Sequence, residues 1–258
     1  MNVGQIAAQL YTLREFTKTP DDIRKTLIKV RDIGYRSVQV SGTGPIRPEL
    51  LKEMTDEIGL KICATHTPYA RLKDDLDNVI KEHLLWGCGN VGLGAMPDEY
   101  RENGREGYES FAGCFSETGK KLDSYGLRFI YHTHRFEFEK FGGVTGMDIL
   151  FEKSDPRYFD FEIDTYWIQA GGADPVEWIR KVGGRMEVVH LKDMAILNNE
   201  QVFAEIGEGN LDWTRILQAC RDIGVKWYAV EQDTCLRDPF KSLEMSYRYL
   251  ANSEAFNE

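Results

Sequence analysis

The chain is poor in the features that would place it in several common classes. It has five cysteines, Cys63, Cys88, Cys114, Cys220 and Cys235, an odd and widely spaced set with no CxxC pair. Neither a disulfide framework nor a thiolate zinc site is expected, and the thiols read as reduced, in a cytoplasm. No run approaches the ~18 apolar residues that a membrane span requires, and MNVGQIAAQLYTL carries no basic leader ahead of an apolar core. Excess positive charge is also lacking: the formal net charge is −10, and Lys and Arg are scattered rather than massed. A phosphate backbone would find no electrostatic footprint, so nucleic acid is excluded as an expected partner. No Pro/Ser-rich linker or shift of composition divides the 258 residues, which suits one large domain over 1–258.

What is present is regular alternation. Eight short β-rich runs, 5–12, 37–42, 60–67, 90–95, 127–134, 159–165, 186–193 and 227–233, are separated by amphipathic segments at 21–34, 47–59, 74–87, 106–126, 174–184, 211–224 and 239–250. Several of these segments close on Gly just before the next run, as capped helices do. The spacing predicts an α/β fold, a (β/α)8 TIM barrel in a single domain. An open doubly wound sheet is the alternative, but the first βα turn holds no GxGxxG.

A parallel barrel gathers the C-terminal ends of its strands at one mouth, where sites are built. The runs end in Gln9, Gln39, His66, His132, His134, Asp164, His190, Lys192, Asp193, Glu231 and Asp233, mostly ligands, acids or bases. Imidazole and carboxylate without thiolate suit a divalent cofactor: Mn²⁺, Mg²⁺, Co²⁺, Fe²⁺ or Zn²⁺. Asp164, His190 and Glu231 would form three adjacent sides of a metal cage, and the fifth run, within 131-YHTHRFEFE-139, must complete it. Strand alternation puts His132 and His134 on one face. Lys192 and Asp193 would bind a substrate oxygen or pair with each other. His66 would contact substrate or serve as a strand-end hydrogen-bonder. Tyr11, Tyr131, Tyr166 and Trp167 would wall a sugar site or pack in the core. His83, in mid-helix, reads as surface, and Glu139 as solvent-facing.

Taken in this order, 131-YHTHRFEF-138, 164-DTYWIQAGGADPVEWI-179, 189-VHLKDM-194, 205-EIGEGNLDW-213 and 230-VEQD-233 resemble the sugar phosphate isomerase/epimerase group of xylose isomerase-like TIM barrels. The resemblance spans essentially the whole chain. It implies a divalent metal held by Glu, Asp, His and Glu on the last four strands, with Asp164, His190 and Glu231 matching directly. It departs at strand five, where His132 stands near the position of a Glu that serves epimerases as ligand and acid or base. It departs again where Trp167 replaces a His, and no Arg follows His190. Two assignments stay open. Either His132 is the fourth ligand, or Glu137 folds back to the metal and frees His132 as a base; the second is preferred, because a neutral imidazole takes a C–H proton near neutral pH.

The expected function is therefore metal-dependent sugar or sugar-phosphate isomerisation or epimerisation, by proton transfer beside a polarised carbonyl. Catalytic roles fall to His132, His134 and Lys192, substrate contacts to His66, Trp167 and Asp193, and metal binding to Glu137, Asp164, His190 and Glu231. The alternatives are a keto-sugar dehydratase or β-eliminating lyase on the same site, and a non-catalytic carbohydrate-binding barrel or complex subunit. A small carbohydrate is the expected partner, with no membrane partner; homo-oligomerisation is compatible with the resemblance.

Overall fold

A computed structural model describes residues 1–256. The eight barrel strands are β1 (Ile6–Gln9), β2 (Ser37–Val40), β3 (Lys61–His66), β4 (Asn90–Leu93), β5 (Arg128–His132), β6 (Phe159–Glu162), β7 (Val188–Leu191) and β8 (Trp227–Val230). All neighbours are parallel, in the order β6-β5-β4-β3-β2-β1-β8-β7. The seam between β6 and β7 is closed by a single parallel bridge, Asp164 to His190. Two backbone bonds reinforce it, His190 N–H to the Ile163 carbonyl and Phe161 N–H to the Arg185 carbonyl, each 2.8 Å. Two of the residues expected to bind metal thus lie where the wall of the barrel is thinnest.

The first long helix illustrates why the intervening segments are helical. Thr19 accepts from the Asp22 amide, Pro20 opens Pro20–Ile33, and Ile23, Thr26, Leu27 and Val30 recur at helical spacing to bury one face. The helix therefore starts one residue ahead of the expected segment 21–34, with Thr19 as its cap. The other expected segments are helical at Pro48–Ile58, Leu76–Trp86, Gly104–Asp123, Pro175–Lys181, Trp213–Asp222 and Pro239–Asn252. Unforeseen are the helices Tyr69–Asp74, Asp98–Arg101, Gly146–Lys153 and Thr165–Ala170, and two antiparallel hairpins, at 140–145 and 193–204.

The barrel interior is layered, which is what aims the site. Ala7, Cys63, Ala64, Ile130, Val188 and Ala229 form an apolar plug separate from the core beneath the helices. Two residues further along their strands, on the same face, Ile130, Val188 and Ala229 give way to His132, His190 and Glu231. No described helix is long and apolar enough to cross a membrane.

Candidate metal centre

At the C-terminal mouth, donor atoms of His132, Asp164, His190 and Glu231 all lie within 4.8 Å of one another, and all four residues are buried. Each comes from the end of a different consecutive strand, β5 to β8, so the barrel itself holds the group together. His132 completes it from strand five. Its Nδ1 donates to the Gly94 carbonyl at 3.1 Å, which leaves the Nε2 lone pair facing Asp164 Oδ2 at 3.2 Å. A lone pair and a carboxylate oxygen turned toward each other repel unless a cation or proton lies between them.

Glu137 stands outside this group. The loop does fold back and bury it, but its Oε1 accepts from the Tyr131 hydroxyl at 2.6 Å and its Oε2 from the His134 amide at 2.9 Å. Burial raises its carboxyl to about 7 despite those bonds. The expectation that Glu137 closes the cage while His132 stays free is therefore reversed in the arrangement seen: His132 joins the donors, and Glu137 braces the turn behind it. Glu139 is exposed, as expected.

Beneath the donors lies a second polar layer. Glu162 accepts from His66 Nε2 at 2.6 Å and from Gln39 Nε2 at 2.8 Å. His190 Nε2 donates to Gln39 Oε1 at 2.7 Å and lies 3.2 Å from Glu162 Oε1, so its Nδ1 is turned to Glu231 Oε2 at 3.0 Å. This is how a second layer of hydrogen bonds fixes the orientation of a metal-binding imidazole. Burial works against charge on His190, but Glu162 and Glu231 outweigh it and raise the imidazole to about 10. Burial likewise opposes the charge on Glu162, yet His190 and His66 hold its carboxyl below the usual range. Glu162 escaped the sequence reading, although 160, 162 and 164 in FDFEIDT share one strand face and all carry carboxylates.

Lys192 does not pair with Asp193. Its fully buried Nζ lies 2.9 Å from Asp164 Oδ2, 2.8 Å from Glu231 Oε2 and 2.7 Å from Asp233 Oδ2. Burial disfavours the ammonium, and the three carboxylates more than restore it. The site thus presses negative charge together and draws cations into it, and its two imidazoles and two carboxylates fit a divalent ion.

The remaining expected residues divide. His66 and His134 line a cavity of about 550 Å³ above the donors, together with Tyr11, Glu231 and Asp233. His134 stacks near Phe136 and Trp167, and its Nδ1 is buried without a partner. Trp167 packs beside His134 and Phe203, its indole Nε1 also unpartnered. Asp193 is not among the described residues that line this cavity. Its carboxylate accepts from the amides of Met194, Gly207, Gly209 and Leu211 and from Trp213 Nε1, so it anchors the loop before the last-but-one helix. A Cβ on Gly209 would come within 2.3 Å of that carboxylate, so only glycine lets the loop backbone approach. Tyr131 and Tyr166 belong to packing, the first against Phe111 and the second against Phe203. His83 is 1 % exposed, not on the surface: its helix turns it inward to Thr65 Oγ1 at 2.8 Å and the Val79 carbonyl at 2.7 Å.

Eight parallel strands, a ring of helices and an imidazole–carboxylate group at the C-terminal mouth define an α/β barrel of the kind that builds sites from strand ends. The chain belongs to the xylose isomerase-like TIM barrel family, whose pattern matches residues 27–250. It is 27 % identical over 161 residues to an inosose dehydratase of Geobacillus kaustophilus strain HTA426, and 26 % identical over 179 residues to one of Bacillus cereus strain AH820. These matches cover 55 % and 62 % of this chain, and it spans about half the length of the curated relatives, 52 % and 58 %. A solved structure described as a sugar phosphate isomerase/epimerase of Parabacteroides distasonis superposes with a TM-score of 0.80 at 24 % identity, over 98 % of this chain and 96 % of that one. An L-ribulose 3-epimerase superposes at 0.72 with 15 % identity, over 97 % and 94 %. At such identities the structural likeness establishes the fold.

Proposed function

We propose that this chain is a divalent-metal-dependent carbohydrate isomerase or epimerase that moves a proton at the carbon beside a carbonyl. The observation that carries the reading is the convergence of His132, Asp164, His190 and Glu231 within 4.8 Å under an open cavity. These four would hold Mn²⁺, Mg²⁺, Co²⁺, Fe²⁺ or Zn²⁺. Bound there, the ion would polarise a substrate carbonyl oxygen and so acidify the adjacent C–H.

The chain's own residues supply the rest. Gly94 fixes the proton of His132 on Nδ1, and Gln39 with Glu162 fix that of His190 on Nε2, so each imidazole offers its other nitrogen to the ion. Lys192 holds Asp164, Glu231 and Asp233 in place and offsets their mutual repulsion. His134 lines the cavity and keeps a buried Nδ1 without a partner, so the role of taking the proton and returning it is assigned to it. The aromatic face of Tyr11 offers a surface for C–H groups.

A second reading is favoured by one feature of strand five. Epimerisation by two opposed carboxylates needs an acid there, and the position holds His132, a donor of the group. With a single acid–base assigned on the wall, removal of a proton followed by its delivery to a leaving β-hydroxyl is the simpler sequence, which gives dehydration, the reaction that the names of the inosose dehydratases describe.

One experiment separates the readings. Mn²⁺-loaded protein is incubated in D₂O with ketoses and cyclic keto-polyols and followed by NMR. Deuterium entering the carbon beside the carbonyl with the water content of the substrate unchanged identifies isomerase or epimerase. An enone product identifies the dehydratase. Absence of exchange with every compound, in protein shown to carry metal, would sink both.

A further inference from the structure

The strand-eight carboxylates sit where the sheet stops supporting the chain. β8 ends at Val230, and the Glu231 amide still reaches the Leu191 carbonyl of β7 at 3.2 Å. From 231 to 238 the backbone belongs to no helix or strand. Yet this stretch carries Glu231, a donor of the group at the mouth, and Asp233, which lines the cavity. With Asp164 they crowd three carboxylates around the single ammonium of Lys192, and the repulsion left over acts on an irregular backbone.

Two side chains from the segment after β1 hold that backbone. Thr12 Oγ1 accepts from the Gln232 amide at 3.0 Å, and Arg14 Nη2 donates to the Asp233 carbonyl at 2.9 Å. The other terminal nitrogen of Arg14, Nη1, donates to the Tyr11 carbonyl at 2.9 Å, and the guanidinium lies over the Tyr11 ring, 4.3 Å from its centre. One planar group therefore ties the chain after β1 to the chain after β8. Arg14 itself is neither a donor of the group nor among the described lining residues.

The local sequence makes the tie possible. Leu10–Phe16 is a 3-10 segment bent at Leu13, with Leu10, Thr12 and Leu13 buried beneath it. Tyr11 and Arg14 stand three residues apart, the spacing at which side chains of such a segment overlie one another. Gly42 leaves room for the ring, since a Cβ there would come within 2.7 Å of it. A flat guanidinium can bond two carbonyls and stack at the same time, which an ammonium on a flexible stem cannot.

We infer that Arg14 is a positioning residue of the site: it straps the end of β8 so that Glu231 meets the ion, and it sets Asp233 and Tyr11 on the cavity wall. This rests on the reading of the mouth as a metal centre.

The test compares R14Q with the parent protein in two readouts. The first is amide hydrogen exchange by NMR on the metal-free proteins. The Gln232 amide of R14Q should exchange at least about tenfold faster while the amides of the eight strands keep their parental rates, as a local opening requires. The second is Co²⁺ titration followed by visible absorption. R14Q should bind about 10–100-fold more weakly, the usual loss when a group supporting a ligand is removed, and its bands should shift, because they report donor geometry. Parental exchange at Gln232 overturns the proposal, and so does faster exchange throughout the barrel, which marks an ordinary structural role. Local opening with unchanged Co²⁺ affinity and bands also overturns it, since the strap would then hold the loop without placing the donor. If R14Q does not fold, R14K is judged by the same results. A parent protein that takes up no Co²⁺ refutes the metal reading alone, and the strap is then decided by exchange at Gln232.

Discussion

His132 Nε2 stands 3.2 Å from Asp164 Oδ2, across the join between β5 and the end of β6, with the opposite nitrogen tied to the Gly94 carbonyl. That pairing turns the Nε2 of a histidine on strand five toward a carboxylate, although the residue still lines the cavity. His134 is the imidazole that lines the cavity with an unpartnered nitrogen.

The first prediction follows from this division. H132A, D164A and E231A should each lower divalent metal affinity at least about tenfold, because each removes one donor of a four-donor group. E137A should keep its metal and lose stability instead, since Tyr131 and the His134 amide would be left without their acceptor. Elemental analysis after dialysis, beside a thermal melt, reads both. Metal lost from E137A but retained by H132A would reverse the assignment.

The barrel and most of the donors were legible in the sequence because both follow from periodicity. A strand end is found by where an apolar run stops, and Asp164, His190 and Glu231 stop three such runs. Glu162 was not found, because it sits inside its run and reads as one more strand residue unless the two-residue spacing of 160, 162 and 164 is given weight. His83 reads as surface from its place in mid-helix, whereas Val79 and His83, four apart, share the buried face of that helix. Glu137 was correctly expected to fold back, but the choice between a cation and a tyrosine hydroxyl as its partner depends on where Tyr131 points, which no local pattern encodes. Asp193 belongs with these. Apart from the adjacent Met194 amide, its partners come from a loop fourteen to twenty residues further on, beyond a hairpin that turns on Asn198 and Asn199 at positive φ.

Glu162 yields the second prediction. Its side chain bonds Gln39 and His66 and lies 3.2 Å from His190, so E162Q should leave the barrel folded yet weaken metal binding by about 10–100-fold, the usual cost of losing a partner behind a ligating imidazole. Calorimetric titration of Mn²⁺ into the variant measures it. Affinity equal to that of the parent protein would show that the layer beneath the donors serves packing alone.

His134 gives the third. H134A should retain its metal and lose about 10²–10⁴ in turnover on whichever carbonyl substrate the parent protein converts, because a positioned acid–base contributes on that scale while the donors are untouched. Exchange of substrate protons with D₂O should fall in parallel. An H134A protein that turns over at the parental rate would remove His134 from the chemistry and turn attention to His66, which lines the same cavity.

The last prediction concerns stability and lies away from the site. His83 is buried and neutral, its Nδ1–H donating to the Val79 carbonyl and its Nε2 meeting Thr65 Oγ1, and burial depresses its imidazole from 6.5 to about 4. Between those values the unfolded chain binds a proton that the native protein refuses. The contribution of neutral His83 is therefore fully present above pH 6.5 and is lost as pH falls toward 4, at up to about 1.4 kcal/mol per pH unit. H83Q cannot take up that proton. It should be less stable than the parent at pH 7.5, since glutamine fills the pocket imperfectly, and the gap should narrow by roughly 1–2 kcal/mol at pH 5. Urea unfolding of the two proteins at both pH values decides the matter, and stability curves that run parallel from pH 7.5 to 5 would mean that His83 takes up its proton as readily in the fold as in the unfolded chain.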